Sequence, residues 1–144
     1  MSTWATDALW LGPHICTRLR AEVPELREAF VLDDLVPGQN EPKQDPAAVV
    51  LLDSLVPPGS DPQQSQALAE QGWLVLLAVR SVRKDGDRNR QLLGPLVTKA
   101  VRAMQGWQPP GSNRAFTWRR GPRPDYGKDI SYFPLLFSIQ MVAA

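Results

Sequence analysis

Residues 73–82 (WLVLLAVRSV) form an unbroken apolar run in which only Arg80 and Ser81 are suited to water. A strand with one wet face alternates apolar and polar residues, so a continuous run of this length belongs to a strand covered on both faces. Residues 47–52 (AAVVLL), fenced by prolines, carry the same signature. Two such strands require neighbours in a sheet and a layer packed over them. Near the end of the chain, Phe133, Leu135, Phe137, Ile139 and Met141 alternate with Pro134, Leu136, Ser138 and Gln140, the period of a half-buried strand. Shorter strands are expected at 29–32, closing at Asp33-Asp34, and at 114–119 (RAFTWR), with Phe116 and Trp118 on one face. Residues 63–71 fit either a short helix capped by Ser60 or the lead-in to the next strand, and are read as strand.

Two stretches carry helical spacing instead. Ile15, Leu19 and Val23 fall on one face of a first helix. Thr6 or Asp7 is its candidate cap, Pro13 falls in its first turn if it starts near Gly12, and Pro24 ends it. The stronger pattern places Leu92, Leu93, Leu96, Val97, Ala100, Val101 and Met104 on one stripe. Asp87 or Asn89 is its candidate N-cap, and Pro95 is expected within its first two turns. Gly106 stands where a left-handed residue closes a helix, with Pro109-Pro110 beyond. The predicted order is helix, two or three strands, helix, two strands. That is an α+β fold with one mixed or antiparallel sheet and two main helices packed on one face.

The length of 144 residues fits one domain, residues 1–144, with no internal repeat. The chain has 14 Pro beside 10 Gly, and their clusters predict long Pro-rich loops at 37–46 and 57–62. A single cysteine, Cys16, excludes an internal disulfide and reads as a small buried hydrophobe in a reducing compartment. No apolar run reaches the roughly 18–20 residues that span a bilayer, and the first dozen residues lack the basic and apolar regions of a signal peptide, so no membrane association is expected.

Charge is unevenly placed. Residues 1–79 hold four basic and 11 acidic side chains, a net −7, whereas residues 80–144 hold 12 basic and four acidic, a net +8. If the halves stay apart in space, one subunit carries an acidic and a basic side and attracts its own copies head-to-tail, an arrangement that can close into a ring. If they interleave, the charges pair within one monomer.

Motifs for catalysis are lacking. His14 and Cys16 stand two apart, roughly 200° around a helix, and cannot act as a local base and nucleophile. Asp33 and Asp34, adjacent at a strand end, point to opposite faces. The stretch 106–111 (GWQPPG) has prolines where a phosphate loop needs free N–H groups, and neither a Gly-x-Ser-x-Gly elbow nor a zinc-binding helix motif occurs. No enzyme, metal or cofactor is expected. The basic stretch with Arg114, Arg119, Arg120, Arg123 and Lys128, interleaved with Trp118 and Tyr126, has two uses: stacking and phosphate contact with single-stranded nucleic acid, or a solvated loop meeting acidic surface on a neighbouring subunit. The pI of 7.9 is below the value of about 9 expected of nucleic-acid-binding domains and favours the second.

An apolar strand ending in a polar loop (WLVLLAVRSVRKDGDRN), an amphipathic helix closing on Gly-Trp-x-Pro (LLGPLVTKAVRAMQGWQP) and C-terminal strands with a Tyr-Phe-Pro-Leu-x-Phe pattern follow one another. This succession resembles the tail terminator proteins of long-tailed bacteriophages, closest to the Mu-like and siphophage group. The likeness covers residues 70–142 and, before that, element order alone. It implies a structural virion protein that forms a hexameric ring on the head-proximal end of the tail tube. Such a ring stops tube polymerisation and presents a docking surface to head-completion or connector proteins, and DNA passes through its lumen without sequence-specific binding. It implies no cofactor and no catalysis, a place in the virion neck, and assembly in the bacterial host cytoplasm. The proline-heavy loops depart from the family pattern. Arg83, Lys84, Trp107, Arg119, Arg120, Arg123 and Tyr126 are the candidate subunit or partner contacts. The alternatives are a nucleic-acid-binding module using the basic 114–128 loop, or another phage neck or head-completion protein.

Overall fold

The apolar runs become the middle of a six-stranded sheet. A computed structural model describes residues 7–32, 42–57, 67–80, 86–126 and 129–143. In chain order the elements are α1 (Leu11–Glu22), β1 (Glu28–Val31), β2 (Ala47–Val56), β3 (Ala67–Arg80), α2 (Gly86–Met104), β4 (Thr117–Arg119), β5 (Asp125–Tyr126) and β6 (Ile130–Ala143). The sheet order is β1-β2-β3-β6-β4, with β5 also paired to β6. Only β1 and β2 run parallel, so the sheet is mixed and the fold is α+β. Most of the proline-rich stretches 37–46 and 57–62 lies outside the described residues.

β3 and β6 pair along their whole length, from Ala67 opposite Ala143 to Arg80 opposite Ile130. This register sends Trp73, Val75 and Leu77 of β3 to the same side as Phe137, Leu135 and Phe133 of β6. That side meets both helices. Leu11, Ile15, Leu19 and the buried Cys16 of α1, and Leu93, Leu96, Ala100 and Met104 of α2, join Trp73 and Phe137 in one core cluster. Each large side chain fully buried there contributes about 1.5–3 kcal/mol of hydrophobic stabilisation. Residues 47–50 are buried on both faces, as the AAVVLL run requires.

Several local features differ from the sequence expectation, each for a physical reason. α1 begins behind Trp10 with no side-chain cap. Asp7 accepts a hydrogen bond from the Leu9 N–H at 2.9 Å, closing a turn ahead of the helix instead of capping it. α2 starts at Gly86, so Asp87 and Asn89 lie within it and Pro95 sits in its third turn, where a missing N–H removes one bond from a long ladder. β2 continues to Val56 through an irregularity between Leu52 and Ser54 that leaves Asp53 unmatched. The following pair brings Ser54 opposite Gly72, where an added Cβ would lie 2.5 Å from the Ser54 hydroxyl. β5, hidden in a Pro/Gly-rich stretch, pairs through Asp125 and Tyr126 with Tyr132 and Ser131.

Buried Gln71 ties the first turn to the sheet. Its amide donates to the Ala8 carbonyl, and its oxygen accepts from the Trp73 indole N–H at 2.9 Å. The loop after α1 is tied to α2 by an ion pair between Glu25 and Lys99. The Lys99 hydrogen bond holds the Glu25 carboxyl below its ordinary value of 4.5. A depressed carboxylate stabilises the fold above its unfolded value and loses that contribution as pH falls through the folded one. Glu25→Gln is therefore expected to lower Tm slightly at neutral pH and low salt. The difference from the parent should close in acid and in high salt, as thermal melts over a pH series will show.

Candidate assembly surfaces

The topology decides where the two charge halves lie. β1 and β2, with α1 packed against both, form one flank; β6, β4 and β5, with α2 packed over β3, β6 and β4, form the other. β3 stands between them. Among the described residues the two halves of the sequence meet along the β3–β6 pairing and where α2 packs on β3 and α1, and their remaining elements lie to either side.

The basic flank ends in β4, and its position is set from α2. Gly106 adopts φ 78°, the left-handed closure expected of it, and its N–H donates to the Phe116 carbonyl at 2.9 Å. The Phe116 N–H returns a bond to the Trp107 carbonyl at 2.9 Å, and the Trp107 and Phe116 rings stack with centroids 5.8 Å apart. The Arg18 guanidinium of α1 lies 5.4 Å from the Trp107 ring centroid and donates to the Ala103 carbonyl at 3.0 Å. Trp107 is thus half-buried and packed against the core. Two residues past the buried Phe116, the Trp118 N–H donates to Gln105 Oε1 at 2.6 Å.

This tether leaves Arg114, Arg119, Arg120 and Arg123 exposed around an edge strand. Arg119 donates through Nε to the Ser138 hydroxyl at 2.9 Å. The two residues line a polar recess of about 270 Å³ with Arg114, Ala115, Thr117 and Gln140. Trp118, in register with the fully buried Phe137, is 49% exposed because no strand lies beyond it. Of the other expected contact residues, Tyr126 pairs in β5 with Ser131, and Arg83, Lys84 and Lys128 lie outside the described residues, as do Asp33 and Asp34.

At the far end of the acidic flank, Leu55 and Val56 are 47% and 50% exposed on opposite faces of β2, and Leu9 is 50% exposed. Leu55 pairs with Gln71, the residue that holds Ala8, so all three belong to one end of the sheet. Sequence reasoning missed this patch; its only signal was the continuation of apolar residues past the doubly buried run.

These surfaces suit contact between macromolecules. Among the described residues no group of three or more His, Cys, Asp or Glu side chains is placed to hold a metal ion, and no helix is long and apolar enough to cross a membrane. The sequence model for the phage tail terminator protein matches residues 6–144. The chain belongs to the phage tail terminator family. It is a structural protein of a phage-type tail and associates with other proteins of the particle. This tail terminator protein shares its fold with a chain from the virion of a native gene transfer agent particle, with a TM-score of 0.56 and 16% identity over 92% of this chain and 95% of that one. No curated protein sequence matches it.

Because the left-handed Gly106 carries the bond that places β4, Gly106→Ala is expected to cost about 1–2 kcal/mol. Gly94→Ala gains helix propensity, with nothing beyond its neighbours where its Cβ would go, but sets that Cβ ahead of the Pro95 ring, and the two effects should leave stability within about 1 kcal/mol of the parent. Urea denaturation of the two variants against the parent checks both.

Proposed function

We propose that this tail terminator protein forms a closed homo-oligomeric ring, a hexamer, on the head-proximal end of the tail tube. The ring halts tube polymerisation by covering the growing end and offers its outer rim to head-completion proteins. It sits in the virion neck after assembly in the host cytoplasm, with DNA passing through its lumen. The observation that carries this reading is the division of charge along the sheet: among the described residues, seven acidic and four basic side chains precede Arg80, a net −3, and nine basic and three acidic ones follow from Arg80 on, a net +6. Opposite flanks attract in a head-to-tail sense, and a head-to-tail contact repeated by rotation closes a ring. Family membership supports the place in the particle. Light scattering across protein concentration at low and high salt tests the ring. Six-fold rings in electron micrographs, weakened by salt because the flanks attract through charge, are expected. A monomer at every concentration and ionic strength defeats the reading.

A second reading rests on the clustering of Arg114, Arg119, Arg120 and Arg123 along the β4 edge, where guanidinium groups can neutralise phosphates. If nucleic acid is a ligand in its own right, replacing Arg119, Arg120 and Arg123 by Ala should abolish salt-dependent oligonucleotide binding while the domain stays folded. Absence of binding by the parent at about 50 mM salt removes this reading.

A further inference from the structure

We propose that the contact joining one subunit to the next is made by the apolar end of β2, rimmed with acid, against Trp118 on the basic β4 edge of a second copy; the proposal rests on the ring reading above. Four large apolar side chains are exposed among the described residues: Leu9, Leu55, Val56 and Trp118. Their charged surroundings are of opposite sign. Around the first three stand Asp7, the exposed Asp53 at the irregularity of β2, and Glu70 directly opposite Val56. The stretches that build this end beside β2, 7–10, 53–57 and 67–72, contain no Lys or Arg. Trp118 is followed by Arg119 and Arg120 and preceded by Arg114, and residues 105–124 contain no acidic side chain at all.

Exposed apolar groups gain by leaving water, but the charges around them restrict the partner. Two acidic ends repel each other, as do two basic edges. Only the acidic end of one copy against the basic edge of another buries the leucines, the valine and the indole while pairing Asp53 and Glu70 with Arg119 and Arg120. Within a subunit the contact cannot form, because β3 and β6 separate β2 from β4, a distance of about 14 Å at ordinary strand spacing. Each copy therefore offers one half of the contact on each flank. The indole, desolvated between arginines, has the character of an interface anchor.

The test uses two charge-reversed chains, Asp53→Lys/Glu70→Lys and Arg119→Glu/Arg120→Glu, with Trp118→Ala as a third variant. All replaced side chains are exposed or half-buried, and circular dichroism and thermal melts establish that each chain folds. By sedimentation velocity, each charge-reversed chain alone should need roughly a hundredfold higher concentration than the parent to assemble. Trp118→Ala should need roughly tenfold more. An equimolar mixture of the two reversed chains should assemble again, since each then meets a complementary flank on the other. Undiminished assembly of the separate variants, or no recovery on mixing, overturns this contact and leaves the ring reading standing. A parent chain that never assembles overturns the ring reading, and this contact with it.

Discussion

The pairing of β3 with β6 is the constraint from which the rest of the molecule follows. Fourteen residues match fourteen in one unbroken register, and that register decides which side chains meet the helices. A slip of one residue in either strand would move its large groups to the opposite face, replacing Trp73 or Phe137 with Leu74 or Leu136 against α1 and α2. Both helices rest on this one ribbon and share the main core over it. The opposite face is apolar too, with Leu51, Leu74, Leu76 and Leu136 beside a small cluster of Ala47, Ala78 and Ile130 packed with Tyr132.

Around that ribbon, a few polar side chains fix the parts the core does not reach. Gln71 satisfies both the Trp73 indole and the Ala8 carbonyl, and so holds the segment that presents Leu9. Arg18 joins the flanks: from α1 it reaches the Ala103 carbonyl at the end of α2 and covers the Trp107 ring, while its own helix supplies Glu22 at 3.1 Å. Lys99 and Glu25 make a second link in the opposite sense, base on α2 and acid after α1. Each flank thus spends part of its minority or majority charge internally, and the arginines about β4 remain at the surface.

How far the fold was legible depended on how far each segment's neighbours lie along the chain. The doubly buried runs and the alternation of 133–141 announced β2, β3 and β6, because burial on one or two faces leaves a period in the sequence itself. The stripe from Leu92 to Met104 and the glycine after it announced α2 and its end. β5 was hidden because two residues that pair through their backbone need no side-chain pattern. Asp87 and Asn89 looked like caps because a helix that starts before its apolar stripe gives no apolar signal over its first turn. Among the candidate contact residues, Arg119 in β4 and Arg120 just beyond it are exposed, as an edge strand leaves them. Trp107 is instead half-buried, stacked on Phe116, a partner nine residues away that only the hairpin geometry brings near. The Leu9, Leu55 and Val56 patch arises from a turn, a strand end and a hydrogen bond from Gln71, none of which shares a sequence period.

The separation of sign between the flanks also bears on which assemblies the subunit avoids. Stacking two copies like flank on like flank would bring acid to acid or base to base. Repulsion between like flanks acts at long range, before any side chain touches, and disfavours that encounter. The order β1-β2-β3-β6-β4, by holding β2 and β4 apart, acts in this way as a filter on which flanks of two copies can meet.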